Sequence, residues 1–531
     1  MSAELDQPDL TDTITVMLDR EAARNPNGVL IDFFELEEQL TFGDLADRSK
    51  RLAASLLAQG VRKSTHVALM MGNRPEWVVC WMAIARLGAV MIPVNPNYKP
   101  AELQFVLADS DAQVLILDGD CGETFAAMET CPDLLREGGV ISAEANPPAG
   151  FLSLDALIAA GDPGFTPPDA VCPSDLLAIQ YTSGTTGFPK GCLQTHEYWM
   201  MVSQIYAATL QSDVRTILVT FPFYYFEPQI QILMALIRGG TAYAPRRHSL
   251  TKFMDWLHAY PIDVCTVTPQ LTNNIPVQDS DARTGVKRVV GYYYKGQEHL
   301  DVERRFGVPV REGFGMTEIG VGTILPVEAT DMVGKGSCGS VAPFREAKVV
   351  RDDGSEAAVG EAGELWFRGR AMLLGYYKRP KANRESFSGG WFRTGDLARR
   401  DEQGFYWIVG RLKEMVKRSG ENIAAQEVEA AIRSHPDVVE VGVIGVPDPK
   451  RKEEVKAYVV LGPGKTHDDV SPAVLAAWAE ERLAAFKVPR YWSYVADFPR
   501  TATNKIAKQR LVDAQADLRV GAYDRIDAVW R

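Results

Sequence analysis

The sequence lacks both a hydrophobic run suited to crossing a membrane and a cysteine pattern typical of a disulfide or metal framework. Its most apolar stretch, Val78–Val94, is interrupted by Arg86, Gly88 and Pro93, which favours a buried helix that runs into a strand. The seven cysteines are odd in number, widely spaced and without a CxxC or Cys/His arrangement. We therefore expect no membrane span and mostly structural, reduced thiols.

The chain also has fewer basic than acidic side chains, which limits the partners that are expected. The chain has 57 Lys and Arg against 69 Asp and Glu, a formal net charge of -12. This charge argues against nucleic acid and anionic lipid as partners, although a local basic channel for phosphates stays compatible with it. The first ten residues carry three acidic side chains and no apolar core, unlike a secretory signal or transit peptide. We expect a cytoplasmic location, and a homo-oligomer is compatible with the sequence.

Length and composition favour a large globular protein with more than one domain. The chain has 531 residues, 46% of them hydrophobic and 24% charged, which is an ordinary balance for a globular protein. This length exceeds what one hydrophobic core usually serves. No internal repeat or long low-complexity tract is apparent, and the Pro- and Gly-rich segment Asn146–Pro168 is the best candidate for an exposed connection.

Alternating strand and helix patterns predict an α/β fold for the N-terminal part. Thr41 and Asp44 indicate the capped start of a helix that ends at Gly60. Short apolar runs then alternate with helical stretches around Trp77–Leu87 and Ala101–Leu107, which is typical of layered parallel α/β folds. The expected strands are Val67–Met71, Ala89–Val94, Val114–Leu117, Leu177–Tyr181, Thr216–Phe221, Val264–Val267 and Val289–Tyr294.

The pattern changes in the C-terminal third of the chain. From Ala347 onward, closely spaced strands with hairpin turns predict a small antiparallel β unit. Beyond Gly410 helices and strands mix again, which predicts a smaller α+β domain. We expect residues 1–410 to form a large domain of layered α/β subdomains plus the β unit, and residues 411–531 to form the second domain.

The segment Tyr181–Gly191, YTSGTTGFPKG, concentrates hydroxyls, glycines and one lysine directly after a predicted strand. Glycines let backbone N–H groups approach an anion, hydroxyls donate further hydrogen bonds, and Lys190 adds positive charge. The spacing differs from the Walker A motif. A flexible loop is the simple alternative for this composition. The candidate phosphate-binding residues are Thr182, Ser183, Gly184, Thr185, Thr186, Gly187 and Lys190.

With the motifs that follow it in order, this segment resembles the signature of the AMP-forming adenylate-forming superfamily, which includes acyl-CoA synthetases, adenylation domains and luciferases. The resemblance runs from about Thr41 to Leu511. The sequence GFGMTE is similar to the family's YGMTE motif, with Phe314 in place of Tyr. The resemblance implies that Phe314 packs on adenine, Thr317 contacts the α-phosphate and Glu318 binds Mg²⁺. It also places Gly313, Gly315 and Met316 at the nucleotide.

Three later motifs carry further implied roles. The stretch WFRTGDL places Asp396 where the family binds the ribose hydroxyls. The stretch GRLKEM resembles the family's hinge, which implies that Arg411 lies near the ribose and that a mobile C-terminal domain turns about Lys413. The segment Gly375–Tyr377 matches a stretch with a structural role. The resemblance implies a coenzyme A tunnel at Lys417, Ser419, Gly420, Glu421 and Asn422.

The last motif, PRTATNKI, resembles the family's C-terminal lysine motif and implies that Lys505 bridges the carboxylate and the α-phosphate. Asn504 replaces the usual Gly, and Asn tolerates positive φ better than most residues. Because the attack of a carboxylate on a phosphate brings two anions together, positioning and charge cancellation by Lys190, Lys505 and Mg²⁺ must drive it. Thr317 and Glu318 complete the implied catalytic set.

The resemblance therefore implies an ATP-dependent ligase that joins a carboxylic acid to coenzyme A through an acyl adenylate, in organic- or fatty-acid metabolism. Two alternatives stay open: an adenylating enzyme that loads a carrier protein in trans, and a non-catalytic nucleotide-binding module. Lys505 and the complete Mg²⁺ motif argue against the module. No carrier domain is apparent in the rest of the chain.

The segments expected to line the acyl pocket are unusually aromatic. PFYYFE stands where many acyl-CoA synthetases have PLFH, and GYYYK stands where they have GAAPL. Carnitine-CoA and crotonobetaine-CoA ligases also lack GAAPL, and an aromatic wall could hold a quaternary ammonium by cation-π attraction worth about 2 kcal/mol. Core packing explains such residues equally, and aromatic, alicyclic or medium-chain acids stay compatible. The candidate wall is Tyr225, Phe226, Tyr292, Tyr293 and Tyr294.

Overall fold

The chain forms two compact units, each made of discontinuous segments. The first contains Met1–Glu346 and Arg368–Glu385, and the second contains Ala347–Phe367 and Ser386–Arg531. The domain boundary expected at residues 410 and 411 stays a prediction. The computed structural model describes residues 10, 12–182, 189–210, 213–292, 294, 296–418, 421–483, 485–500 and 506–531.

The first unit alternates strands and helices along the chain. Its strands are β1 (Val29–Phe33), β2 (Glu38–Thr41), β3 (His66–Met70), β4 (Val90–Pro93), β5 (Val114–Leu117), β6 (Val140–Ser142), β7 (Leu152–Ser153), β8 (Leu176–Thr182), β9 (Lys190–Thr195), β10 (Thr216–Leu218), β11 (Thr241–Tyr243), β12 (Val264–Val267), β13 (Arg288–Gly291), β14 (Val310–Met316), β15 (Gly320–Ile324) and β16 (Ser340–Val341). Its helices are α1 (Ile14–Arg24), α2 (Phe42–Ala58), α3 (Pro75–Arg86), α4 (Pro100–Asp109), α5 (Gly122–Ala126), α6 (Leu154–Ala160), α7 (His196–Thr209), α8 (Phe226–Arg238), α9 (Phe253–Ala259), α10 (Pro269–Asn273), α11 (Gln297–Phe306) and α12 (Pro380–Ser386).

These strands form two largely parallel sheets. Their orders over the described residues are β7-β6-β5-β3-β4-β8-β9 and β16-β15-β14-β13-β12-β10-β11-β1-β2. Strand β9 pairs antiparallel with β8, and β2, β15 and β16 add antiparallel pairs at the edges of the larger sheet. Parallel neighbours need long crossover connections, which the helices supply. The predicted layered α/β class is confirmed.

Sheets and helices stack in five layers because each sheet buries both of its faces. In β3, Val67 belongs to the core shared with α1, α2, α3, α7 and α8, whereas the next residue, Ala68, belongs to a second core with α4. In β12, Val264 belongs to the shared core and Cys265 to a third core with α9 and α11. Neighbouring strand residues point to opposite faces, so these strands are apolar along their whole length.

Two local predictions have different outcomes. Thr41 caps α2: its Oγ1 accepts a hydrogen bond from the Asp44 N–H at 3.0 Å, and Asp44 Oδ2 accepts one from the Thr41 N–H at 3.3 Å. The capping box is therefore confirmed. The expected exposed connection Asn146–Pro168 was wrong in part, because it contains β7 and α6. Ser153 caps α6 and Leu154 is fully buried, so apolar packing outweighs the flanking prolines and glycines.

The second unit combines an antiparallel β part with an α+β part, as expected. Strand β20 pairs antiparallel with β18, β19 and β21, and α13 and α14 contribute to the core of a second sheet. Its elements are β17 (Arg345–Val350), β18 (Gly363–Gly369), β19 (Phe387–Ser388), β20 (Trp391–Arg400), β21 (Tyr406–Arg411), β22 (Met415–Arg418), β23 (Glu421–Ala424), α13 (Ala425–Arg433), β24 (Val438–Asp448), β25 (Lys452–Leu461), α14 (Pro472–Glu480), β26 (Tyr491–Tyr494), α15 (Lys508–Asp513), β27 (Tyr523–Asp524) and β28 (Val529–Trp530).

The sequence predicted that a membrane span and a disulfide framework would be absent. None of the helices built from them is long and apolar enough to cross a membrane. All seven cysteines are free thiols, and five of them are buried. Burial raises the pKa of the Cys121 thiol to about 12, which keeps it protonated and unreactive at neutral pH.

Candidate active site

A hairpin presents the predicted phosphate-binding loop. Strands β8 and β9 pair antiparallel with Thr182 opposite Lys190, and the hydroxyl of Thr182 lies 3.5 Å from the carbonyl oxygen of Lys190. The loop therefore joins two strands, whereas a Walker A loop joins a strand to a helix. Residues 183–188 lie outside the described residues, and with them the candidates Ser183, Gly184, Thr185, Thr186 and Gly187.

Lys190 and Glu318 approach opposite parts of one tyrosine. The Nζ of Lys190 lies 4.8 Å from the centroid of the Tyr376 ring, and the Tyr376 hydroxyl donates a hydrogen bond to Glu318 Oε1 at 2.8 Å. Tyr376 and Glu318 are both buried. We call Thr182, Lys190, Thr317, Glu318 and Tyr376 the lysine-glutamate corner. It combines one cation and one carboxylate with the phenol that links them.

A tight hairpin carries Thr317 and Glu318. These two residues lie in the turn between β14 and β15, and the candidates Gly313, Phe314, Gly315 and Met316 lie on β14 itself. A Cβ at Gly315 would lie 2.7 Å from the carbonyl oxygen of Gly320, and Gly320 has a φ of +71°. Close strand approach therefore requires glycine on both sides of the turn. The GFGMTE motif thus owes part of its sequence to hairpin geometry.

Buried donors fix the backbone of this turn. The carbonyl oxygen of Thr317 accepts hydrogen bonds from the Tyr198 hydroxyl at 2.7 Å and from the Gln194 amide at 2.9 Å. Both donors are fully buried. Removing either donor would leave a buried carbonyl short of a partner, which costs about 1–3 kcal/mol. The turn is thus held from β9 and α7.

A buried arginine holds the other side of the turn. The guanidinium of Arg345 donates to the carbonyl of Ile319 at 3.0 and 3.1 Å and to the carbonyl of Arg370 at 2.7 Å. Burial lowers the pKa of Arg345 to about 10, so the group stays charged at neutral pH. Arg345 thereby connects the residue after Glu318 to the segment that leads to Tyr376.

The segment around Tyr376 is tied to the end of α4. The Tyr377 hydroxyl donates to Asp111 at 2.7 Å, and Arg379 donates to Asp109 at 2.6 Å. The Tyr181 hydroxyl of β8 also donates to Asp109, at 2.8 Å. Hydrogen bonds from Lys378 and Tyr377 hold the pKa of Asp111 below its usual value, although partial burial opposes them. These contacts position Tyr376, to which the sequence motif assigned only a structural role.

In the second unit, the two residues expected at the ribose contact each other. Arg411 Nε lies 2.8 Å from Asp396 Oδ1, and Asp396 is buried. The Asp396 N–H donates to the Thr394 hydroxyl at 3.0 Å, and Gly395 between them has a φ of +71°. The TGD sequence therefore forms a rigid bend in β20, with the Asp396 carboxylate held by a guanidinium.

The remaining candidates of the second unit are only partly described. Lys417 and Asn422 are opposite each other in the hairpin of β22 and β23, as are Arg418 and Glu421. The side chains of Lys413, Lys417, Glu421 and Asn422 lie outside the described part of the structure. Ser419, Gly420 and Lys505 lie outside the described residues. The hinge, the tunnel and the catalytic lysine stay predictions.

Of the aromatic residues after β10, some are buried in the core and others are half-buried. Tyr225 caps α8 and is half-buried, with its ring centroid 4.4 Å from that of Tyr224. The Gln229 amide donates to the carbonyls of Phe223 at 3.0 Å and of Tyr225 at 3.1 Å, which fixes this turn. Phe226 packs on Trp199, with ring centroids 5.3 Å apart. Phe226 is half-buried like Tyr225, so both stay candidates for the acyl wall.

The aromatic residues after β13 divide in the same way. Tyr294 is 2% exposed, and its hydroxyl forms a hydrogen bond with that of Thr272 at 2.8 Å. Its N–H donates to Glu312 Oε1 at 2.5 Å. Tyr292 is half-buried against the shared core, and Tyr293 lies outside the described residues. The burial of Tyr294 favours a packing role for it.

Two families of known proteins match parts of this chain. Residues 18–377 match the family described as AMP-binding enzyme, and residues 427–505 match the AMP-binding enzyme C-terminal domain. The chain belongs to the AMP-binding enzyme family. The two matches include Lys190, the motif from Gly313 to Glu318, and Lys505, so the predicted family is confirmed.

Relatives of this AMP-binding enzyme extend over almost its whole length. It is 31% identical to sulfoacetate–CoA ligase of Cupriavidus necator, in an alignment that covers 96% of this chain and 99% of the relative. It is 30% identical to crotonobetaine/carnitine–CoA ligase of Citrobacter koseri, in an alignment that covers 89% of this chain and 93% of the relative. Both relatives are CoA ligases, in agreement with the predicted acid-thiol ligase class.

A solved structure matches the whole architecture. The o-succinylbenzoate–CoA synthetase of Bacillus subtilis, in complex with its acyl-adenylate intermediate, has a TM-score of 0.80 and 26% identity, with 94% of this chain and 98% of that chain covered. The same protein in complex with ATP and magnesium ion has a TM-score of 0.79 and 25% identity, with 94% and 99% covered. The predicted fold class, a large N-terminal and a smaller C-terminal domain, is confirmed.

Proposed function

We propose that this AMP-binding enzyme is an ATP-dependent carboxylic acid:CoA ligase. In the first step, a carboxylate oxygen bonds to the α-phosphorus of ATP and the bond to the bridging oxygen breaks, which releases diphosphate. In the second step, the sulfur of coenzyme A bonds to the acyl carbon, the thiol proton is lost and AMP leaves. The observation that carries the proposal is the lysine-glutamate corner, where Lys190 and Glu318 contact the same buried tyrosine.

The first step needs charge cancellation more than it needs a general base. The carboxylate and the triphosphate are both anions, so fixed positive charge must hold them together. Lys190 supplies one such charge beside the loop from Thr182 to Gly187, and Lys505 is proposed to supply another. Thr317 is proposed to contact the α-phosphate from the turn that Arg345 fixes.

The residues present fit a magnesium ion that is held mainly by the substrate. Mg²⁺ usually takes one or two protein carboxylates and completes its shell with phosphate oxygens and water. Glu318 offers one such carboxylate, and no cluster of three or more metal-ligating side chains occurs among the described residues. We propose that Glu318 holds the ion, which supplies positive charge to the triphosphate when bound. Tyr376 keeps the Glu318 carboxylate in place.

The nucleotide and coenzyme A sites are proposed from their motifs, and the contact between Arg411 and Asp396 supports the ribose site. Phe314 is proposed to pack on adenine, and Asp396 with Arg411 to bind the ribose. Their 2.8 Å contact shows that the guanidinium already orients the carboxylate. Lys413 is proposed as the hinge between residues 1–410 and 411–531, with coenzyme A along residues 417–422. Rotation there would remove Lys505 after the first step.

The acid is the least constrained substrate. We propose that Tyr225, Phe226 and Tyr292 line the acyl pocket together with Tyr293, whereas Tyr294 supports them from the core. Of the relatives' acids, sulfoacetate ends in a negative sulfonate, and carnitine ends in a positive trimethylammonium group. Identity near 30% supports the reaction class and does not choose between these tails.

The second candidate function is the loading of a carrier protein in trans. It shares the first step and differs only in the thiol that accepts the acyl group. Coenzyme A is favoured because both curated relatives above are CoA ligases. A cytoplasmic location and the use of small-molecule substrates follow from the same proposal.

An acceptor assay tests the proposal. The enzyme is supplied with ATP, Mg²⁺ and a panel of acids, with coenzyme A, with a phosphopantetheinylated carrier protein, or with neither. We expect AMP and thioester in equal amounts with coenzyme A, and a fall of about 100-fold in Lys190→Ala. Lys381→Ala, which removes an exposed lysine, is the matched control. Thioester formed only on the carrier, or equal loss in both variants, would overturn the proposal.

A further inference from the structure

Another glutamate, the half-buried Glu227, lies two residues after Tyr225, and none of the family motifs assigns it a role. The Thr266 hydroxyl of β12 donates to Glu227 Oε1 at 2.9 Å, and the Gln231 amide donates to the same oxygen at 3.2 Å. Tyr206 of α7 lies beside these groups. We call Tyr206, Glu227, Gln231 and Thr266 the Glu227 cluster. It joins α7, α8 and β12 next to the proposed acyl wall.

The groups around Glu227 are buried and uncharged. Tyr206, Gln231 and Thr266 are 3%, 1% and 3% exposed. Burial raises the pKa of the Tyr206 hydroxyl, although hydrogen bonds with Gln231 and Thr266 oppose the shift, so this phenol stays neutral at neutral pH. The cluster therefore offers the Glu227 carboxylate hydrogen bonds and no positive charge.

Glu227 is half-buried in the first turn of α8. Protein atoms surround its carboxyl group, yet the residue keeps some accessible surface. Burial raises the pKa of Glu227 to about 7, and the Thr266 hydrogen bond opposes that shift only in part. Thr266 and Gln231 are neutral donors, and no cation contributes to the shift. Among the residues that the structure describes, the carboxylate therefore has no positive partner.

We infer that the acyl pocket takes an acid whose tail carries a positively charged nitrogen, with Glu227 as its counter-ion. This inference rests on the proposed function and adds the substrate class. A cation beside a buried carboxylate favours the ionised form, and the neighbouring Tyr225 ring would add cation-π attraction. A tail with a negative charge would face repulsion in a poorly solvated site. A neutral tail would leave the carboxylate unpaired.

Two acids of nearly equal shape differ mainly in the charge of their tails, so they separate the effect of charge from that of size. In 4-(trimethylammonio)butanoate the tail ends in a quaternary nitrogen, and in 5,5-dimethylhexanoate a carbon replaces that nitrogen. We expect kcat/KM for ATP-dependent thioester formation to be at least about tenfold higher for the cationic acid. 5-Aminopentanoate tests whether a primary ammonium serves equally, and glutarate supplies a negative tail. Glutarate should be the poorest substrate.

Three variants test whether Glu227 causes the preference. Glu227→Gln should lower the cationic-to-neutral ratio of kcat/KM by about tenfold or more, with little change for 5,5-dimethylhexanoate. Thr266→Val removes the hydroxyl that positions the carboxylate and should lower the ratio by a few-fold. Glu123→Gln removes an exposed glutamate from the first turn of α5 and is the matched control. Its ratio should equal that of the wild type.

Direct binding separates failure of the inference from failure of the proposed function. The thermal midpoint of each protein is measured with each acid in the presence of a non-hydrolysable ATP analogue. A larger shift with the cationic acid, lost in Glu227→Gln, supports the inference even if no thioester forms. Thioester formation without a cationic preference, or a preference that survives in Glu227→Gln, would overturn the inference and leave the ligase assignment intact. Failure of both cationic acids to bind would also overturn it.

Discussion

The lysine-glutamate corner and the Glu227 cluster each contain a glutamate held by hydrogen bonds, but their surroundings differ in charge. At the corner, the Glu318 carboxylate accepts from Tyr376, whose ring is also approached by the Lys190 ammonium. In the cluster, the donors to the Glu227 carboxylate among the described residues are neutral groups, Thr266 and Gln231. The corner carries its own positive charge and matches motifs of the family. The cluster has no described cation, which is the place that the inferred cationic tail would take.

The largest effect is expected from removing Lys505, the second cation proposed to act with Lys190 of the lysine-glutamate corner. Lys505→Ala should lower diphosphate release with ATP and acid by about 100-fold or more. Thioester formation from a supplied acyl adenylate should stay mostly intact, because Lys505 is proposed to act only in the first step. Both half-reactions are measured in single turnover, with exposed Lys450→Ala as the control. Equal loss of the two half-reactions would remove Lys505 from its assigned role.

The sequence allowed the corner to be anticipated in part. Lys190, Thr317 and Glu318 stand in short motifs, and local signals such as the Thr41 capping box and the apolar strand runs predicted the elements that carry them. Tyr376 was missed as a functional residue because its bond to Glu318 joins residues 58 positions apart. The sequence Gly375–Tyr377 offers only a weak signal, a pair of tyrosines after glycine.

The Glu227 cluster could not be read from the sequence. Glu227 follows Phe226 and precedes Pro228, which looks like the ordinary first turn of a helix with an acidic residue near its start. Its environment depends on Thr266, 39 positions away. Residues Asn146–Pro168 were misjudged for a related reason, because their prolines and glycines flank a helix that packing stabilises.

A smaller effect is expected from removing the hydroxyl of Tyr376, the residue that contacts both Lys190 and Glu318. Tyr376→Phe removes the donor to Glu318 and should lower the rate of adenylate formation by roughly tenfold, since a hydrogen bond to a charged group is worth about 1.5–3 kcal/mol. The measurement is ATP–diphosphate exchange with a good acid substrate. Tyr494→Phe is the matched control, because its hydroxyl donates to the backbone carbonyl of Val470 in the second unit. Similar rates for the two variants would separate Tyr376 from the chemistry.

A further effect concerns stability and tests the charge state of the Glu227 cluster. The pKa of Glu227 lies near 7 in the folded protein, above its ordinary value of 4.5. The folded state therefore holds a proton that the unfolded state loses, and the stability from this group falls as pH rises from about 4.5 to about 7. Glu227→Gln should gain stability over the wild type by up to about 3 kcal/mol at high pH.

Thermal unfolding at about pH 5.5 and about pH 8 measures this effect, with Glu123→Gln as the reference that subtracts the other titrating groups. The difference between Glu227→Gln and the wild type should grow with pH. A constant difference, or one that shrinks as pH rises, would contradict the assignment of a raised pKa to Glu227.

The most direct test of the comparison assays a variant of each glutamate with the same two acids. Glu318→Gln and Glu227→Gln are each assayed for coenzyme A-dependent thioester formation with 4-(trimethylammonio)butanoate and 5,5-dimethylhexanoate. We predict that Glu318→Gln lowers kcat/KM for both acids by a similar factor of about 100, because it weakens the nucleotide and metal site. Glu227→Gln should lower only the value for the cationic acid. A change in acid preference in Glu318→Gln, or equal losses for both acids in Glu227→Gln, would contradict the account.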